Sequence, residues 1–268
     1  MPAIQLARLK HQTVELAEKY SDPKAFVHGV HELMEYYADR AFRPGLAGEP
    51  QPLLPTYHVP KPVLRQVILE LSPFLDSDRQ AILALAEALW GEAHLECKLL
   101  AASILGKIPP EPPEEILERV GSWATLRSDD RVLDALVGEG LARLRDEKPG
   151  AYLQQIETWL AAGGVFEHRL GLKALFYLLG AQSFENLPFL FRLLGPIVRE
   201  ASLKLRDDLL SVVALLARRY PNETSFFLRE SLKIQSDNPG TGWVIRNSIR
   251  WFPPDNQASL RAALRENF

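Results

Sequence analysis

The feature that most constrains this chain is a steady alternation of amphipathic segments, nearly all 12–18 residues long, with short breaks between them. Residues 159–177, WLAAGGVFEHRLGLKALFY, show the pattern. A helix ends near Ala162, two glycines turn the chain, and a second helix starts at Val165. On that second helix Phe166, Leu170, Ala174 and Tyr177 recur at helical spacing, with Arg169 and Lys173 four apart between them. Similar two-helix units can be read on both sides, and no β-branched alternating run is long enough for a sheet strand. The spacing predicts an all-α chain of about fourteen helices in antiparallel pairs, arranged as an α-solenoid rather than a globin-like fold or a bundle.

Local signals place the breaks. Residues 3–20 and 23–39 read as a first pair, with Asp22 as cap and Pro23 at the first helical position. A proline-rich loop follows over 42–60, and it holds Tyr57 and His58. Helices are then predicted at 61–75, 78–91, 93–106 and 114–126, followed by one capped by Ser128 or Asp129 that runs to Arg145. The remaining pairs are 149–162 with 165–180, 186–201 with 205–220, and 222–235 with 240–251, before a short last helix from Pro254. The expectation is a single domain over 1–268: an N-terminal pair at 1–40, the loop at 42–60, and repeats from 61 onward.

Charge is uneven along this length. Net charge is -3, yet residues 1–160 carry 17 Lys and Arg against 24 Asp and Glu, while residues 161–268 carry 14 against 10. A basic C-terminal part suits a polyanion. One cysteine, Cys97, excludes an internal disulfide and any cysteine-based zinc cluster, and it reads as a small helical residue rather than a nucleophile. No run approaches 18 apolar residues, and residues 1–12 lack a signal-peptide core, so the expectation is a soluble, cytoplasmic monomer with no membrane partner.

Phosphate-binding glycine loops, HExxH, GxSxG and zinc-finger spacings are all missing from the sequence. His28, His31 and Glu35 share a helix face that would suit a metal ion or simply a solvated surface. The stronger polar candidates are Trp123, Arg127, Asp129, Asp130, Trp159, Arg169, Lys173, Arg246, Arg250 and Trp251. Guanidinium groups hold phosphates bidentately and indoles lie against sugars or bases, which suits a nucleic acid. The same tryptophans also suit a core, and the same arginines a solvated face.

Several short segments carry a resemblance. Residues 57–62, YHVPKP, are an aromatic followed by a proline-started helix. Leu89-Trp90 precedes Glu96, Lys98 and Ala101. Ser122-Trp123, then Trp159 with residues 165–169, VFEHR, and finally residues 245–251, IRNSIRW, complete the set. These are similar to the LW…E…R…A, SW…D, W…FWxRR and IRKAIGW segments of the HEAT-like-repeat DNA alkylation repair proteins, the alkylpurine DNA glycosylases. The resemblance spans roughly Tyr57 to the C-terminal end.

It implies a HEAT/ARM-like superhelix that grips duplex DNA on a concave basic face and releases alkylated purines, with no metal or organic cofactor. By position, Trp123 resembles the family's first tryptophan, Arg169 its arginine and Trp251 its second tryptophan. The carboxylate expected four residues after Trp123 is replaced by Arg127, so the catalytic candidates pass to Asp129 and Asp130. The family's second arginine falls at Pro254. Tyr57, Arg127, Lys173, Arg246 and Arg250 complete the predicted DNA contacts. The alternative is a non-catalytic scaffold that binds DNA or protein.

Overall fold

The structure, a computed structural model, describes residues 5–41, 53–181, 186–234 and 239–267. Residues 42–52 of the proline-rich loop lie outside them. Among the described residues the chain is α-helical with three short 3-10 turns and no β-strand. It divides into two compact units, residues 1–152 and 153–268.

The first unit contains α1 (Leu6–Ala17), α2 (Pro23–Tyr37), α3 (Lys61–Leu71), α4 (Arg79–Gly91), α5 (Leu95–Leu105), α6 (Pro113–Trp123), α7 (Asp130–Gly138) and α8 (Ala142–Glu147). The division falls within α9 (Pro149–Ala161). The second unit continues with α10 (Val165–Ala181), α11 (Leu187–Glu200), α12 (Arg206–Arg219), α13 (Pro221–Ile234), α14 (Pro239–Ser248) and α15 (Pro254–Asn267). A 3-10 turn at Ile249–Trp251 follows α14.

Caps set the helix starts. Asp22 accepts from the amides of Lys24 and Ala25 at 3.1 Å, with Pro23 in the first turn of α2. Asp78 accepts from Ala81 N at 3.0 Å, and Asn186 from Phe189 N at 3.2 Å. Gly163, with φ 73°, takes the left-handed turn between α9 and α10.

Packing follows a rule of alternation. In the first unit α1, α3, α5 and α7 pack each on the next, while α2 packs on α4. In the second unit α10, α12 and α14 form one row, and α11, α13 and α15 another. Apolar stripes explain it: Phe26, Val30 and Met34 of α2 are fully buried, as are Leu172 and Leu175 of α10 and Leu209 and Val212 of α12.

Three expected helices end early: 61–75 stops at Leu71 and 240–251 at Ser248, each before a 3-10 turn, and 114–126 stops at Trp123; a fourth is broken in two. Residues 129–145 form two helices, α7 and α8, broken at Glu139–Leu141. The break sits where the end of α5 meets it, and the Glu139 carbonyl occupies the space a side chain at Gly106 would fill. A continuous helix would carry that carbonyl away from α5, so a tertiary approach ended a segment that is locally helical.

Cys97 is fully buried in α5, and burial raises its thiol to about 12, helped by the nearby Glu92 and Glu96 carboxylates. Two outcomes follow. Gly106→Ala should lower stability by about 1–3 kcal/mol, read as a lower urea midpoint, because backbone cannot swing aside like a side-chain tip. Cys97 should resist a disulfide reagent at pH 8 in the native protein and react fully in denaturant, since almost no thiolate exists that far below its folded pKa.

Candidate nucleic-acid interface

In the second unit, α10 presents Arg169 and Lys173 one turn apart toward α12. Asp208, in the first turn of α12, meets both. Arg169 Nε donates to Asp208 Oδ2 at 3.0 Å, and Lys173 Nζ lies 3.0 Å from Asp208 Oδ1. Lys173 is only 8% exposed. A carboxylate so placed offsets the desolvation of the ammonium and pins the two helices together. It also benefits from the positive end of the α12 dipole.

α12 also borders an open groove of about 490 Å³. Phe176 of α10 and the Arg250–Trp251 pair of the 3-10 turn flank it, and Asp207 and Arg218 stand on α12. The Arg250 guanidinium lies 5.0 Å from the Trp251 ring centre. Among the described residues, Arg218 and Arg250 have no carboxylate partner and Asp207 no cation. Arg246 is exposed near the end of α14 and makes contacts of its own.

The first unit treats its charges differently. A groove of about 570 Å³ between α4 and α6 is lined by Arg79, Glu87, Glu115 and Arg119. There Arg79 pairs with Glu115 at 2.8 Å, and Arg119 Nε with Glu87 at 3.0 Å. Trp123 donates from Nε1 to Glu87 Oε2 at 3.2 Å and stacks on Trp90, centres 4.6 Å apart. Lys98 lies over the Trp90 ring at 4.5 Å, its ammonium pKa lowered by burial. Trp123 is 6% exposed and Trp159 is buried as well, so both indoles serve as packing.

Asp129 caps α7. One oxygen accepts from Arg131 N at 2.8 Å and the other from Leu53 N at 2.9 Å, and the residue is 6% exposed. Asp130 is exposed in the first helical turn, and Arg127 is exposed in the link before it. Tyr57 is partly buried: its hydroxyl bonds His31 Nδ1 at 2.8 Å and its ring stacks on His94 at 4.4 Å. His31 Nε2 lies 3.0 Å from Glu92, so Nε2–H donates to the carboxylate and Nδ1 accepts from the phenol hydroxyl. Burial raises the Tyr57 pKa, with lesser contributions from Cys97 and nearby carboxylates.

His28 and His31 turn to different partners. His28 turns to Glu32 at 3.4 Å while His31 is engaged with Tyr57 and Glu92. Among the described residues no group of His, Cys, Asp or Glu is arranged to hold an ion. No helix among them is long and apolar enough to cross a membrane.

The sequence model of the DNA alkylation repair enzyme family matches residues 40–202. The chain belongs to that family. Searches among curated proteins and among solved structures each found no significant match. The family match takes in Tyr57, Trp123, Arg127, Asp129, Asp130, Arg169 and Lys173, and it ends before α12. Asp207, Asp208 and Arg218 were not singled out in the sequence. The only signal for them was a pair of acids opening α12 and a pair of arginines closing it, an arrangement that also complements any helix dipole.

Asp208→Ala should remove the carboxylate that Arg169 and Lys173 share across α10 and α12 and cost on the order of 3 kcal/mol. Thermal unfolding of that variant beside Asp207→Ala checks it, since the exposed neighbour should be nearly silent.

Proposed function

We propose that this DNA alkylation repair family member binds duplex DNA through the α12 groove of its second unit, with alkylated DNA as its target. One observation carries the reading: Arg218 and Arg250 line the same groove, beside an indole, with no carboxylate partner among the described residues. Surface guanidinium groups left unmatched at one opening favour phosphate oxygens, and an adjacent indole face accepts a sugar or a base. Arg169 and Lys173 support the groove indirectly, because their charge is held by Asp208 and fixes α10 against α12.

Whether binding leads to excision turns on a carboxylate. Hydrolysis breaks the bond from C1′ to the base nitrogen; the electron pair leaves with the base and neutralises it. Water adds its oxygen to C1′ and gives up a proton. Positive charge on the sugar rises on the way, and a nearby carboxylate stabilises it. In the first unit both Asp129 oxygens are already bonded and Trp123 is stacked, which favours binding without excision. Excision is the second reading, favoured by family membership and by Asp130, whose carboxylate stands on an exposed turn.

Arg218→Ala and Arg250→Ala should each weaken binding across duplex sequences and lower the slope of log affinity against log salt by about one. Arg192→Ala, which does not line the groove, serves as the control. Unchanged affinity in the Arg218→Ala, Arg250→Ala double variant removes the groove as the DNA site. Single-turnover release of a methylated purine decides the chemistry. Release no faster than the uncatalysed rate leaves a binding protein, whereas release abolished in Asp130→Asn with binding intact assigns the carboxylate.

A further inference from the structure

The groove between α4 and α6, in the first unit, carries its charges in a fixed order. Along α4, Arg79, Leu83 and Glu87 stand four residues apart and so share one helix face. The two charges are separated by a helical rise of ~12 Å. On α6, Glu115 meets Arg79, and Arg119, one turn on, meets Glu87. Ala84 is exposed between the end charges, and its small side chain leaves the middle of the groove low. Two guanidinium groups and two carboxylates sum to zero, so the groove does not favour a polyanion. It favours a surface whose charges run in the opposite order around an apolar centre.

One such surface belongs to this chain. On α1, Lys10, Val14 and Glu18 are all exposed and again lie four residues apart. Set antiparallel to α4, they bring Lys10 opposite Glu87, Val14 opposite Leu83 and Ala84, and Glu18 opposite Arg79. The end charges of the two helices are then separated by the same ~12 Å. Among the described residues neither Lys10 nor Glu18 has an ion partner in its own chain. Leu6, 72% exposed, stands one turn before Lys10 and adds a second apolar side chain to the strip. In its own chain α1 packs on α2 and α3 by its opposite face, so the match can be made only between copies.

We infer that the α4/α6 groove seats the exposed face of α1 from a second copy of this chain. The contact joins unlike surfaces, a helix face on one copy and a groove on the other. Paired charges exert little pull at a distance, and each exposed pair contributes little alone. Burial of Val14 and Leu6 drives the contact, while the order of charges sets its register and rejects faces with another order. No residue of the α12 groove takes part.

Sedimentation velocity over a range of protein concentrations tests the inference. The unmodified protein should rise above the mass of one chain as concentration increases. Glu18→Lys sets like charges against each other at Arg79 and should weaken association about tenfold. Val14→Asp should abolish it, and so should Ala84→Gln, whose longer side chain fills the groove. All three positions are exposed and outside the ion pairs of the fold, so thermal unfolding should be nearly unchanged. An equimolar mixture of Val14→Asp and Ala84→Gln should associate again, because one variant supplies an intact groove and the other an intact α1. A single-chain mass at every concentration overturns the inference and leaves the groove to another protein or to no partner. Association that survives Val14→Asp, or a mixture of the two folded variants that stays single-chain, overturns the pairing of α1 with the groove.

Discussion

Among the described residues most helices are too short to persist alone, and that constraint orders the rest. Isolated helices below roughly 12–15 residues are marginal in water. Here α5 and α6 have 11 residues and α7 has 9. Burial of a stripe on neighbours keeps short helices in place, including on the helix two along in the chain, as α5 does on α7, α10 on α12 and α12 on α14. Packing at that separation makes each helix a spacer as well as a wall. Side chains on α10 and α12 can therefore meet although 35 to 40 residues separate them in sequence, as Arg169 and Asp208 do.

The two units spend their charges in opposite ways. Between α4 and α6, Arg79, Glu115, Arg119 and Glu87 pair among themselves, and the indole of Trp123 is tied into the same ladder. That groove has little electrostatic pull left for a ligand. Along α12 the pairing is concentrated on Asp208, inside the row, while Arg218 and Arg250 at the groove have no carboxylate partner among the described residues. The overall net charge of -3 hides this contrast, because a polyanion responds to the local arrangement of unmatched cations and not to the sum.

Membership in the DNA alkylation repair enzyme family and the state of the residues around Trp123 pull in different directions on catalysis. Arg127 stands on an exposed link, Asp129 is consumed as a cap and as an anchor for Leu53, and Trp123 has one face covered by Trp90. These are features of a well-packed helix junction. The groove bordered by Arg218 and Arg250, by contrast, runs along α12 and the Ile249–Trp251 turn, which the family match does not reach.

Amphipathic period and capping chemistry determined the all-helical class and most helix limits directly from sequence, because both act within four residues. Asp22-Pro23, Asp78 and Gly163 each mark a boundary by local geometry alone. The division of 129–145 into α7 and α8 was not legible, because it depends on Gly106 admitting the Glu139 carbonyl from a distant turn. The candidate site divided along the same line. Residue type pointed to Arg169, Lys173, Arg250 and Trp251 as a cationic and aromatic set, yet only the tertiary structure decided which cations are spent. Lys173 is buried against Asp208, and Arg250 borders a groove with Arg218 and Asp207. Sequence spacing sets which side chains share a helix face; whether that face meets a carboxylate, an indole or water is set by the neighbouring helix.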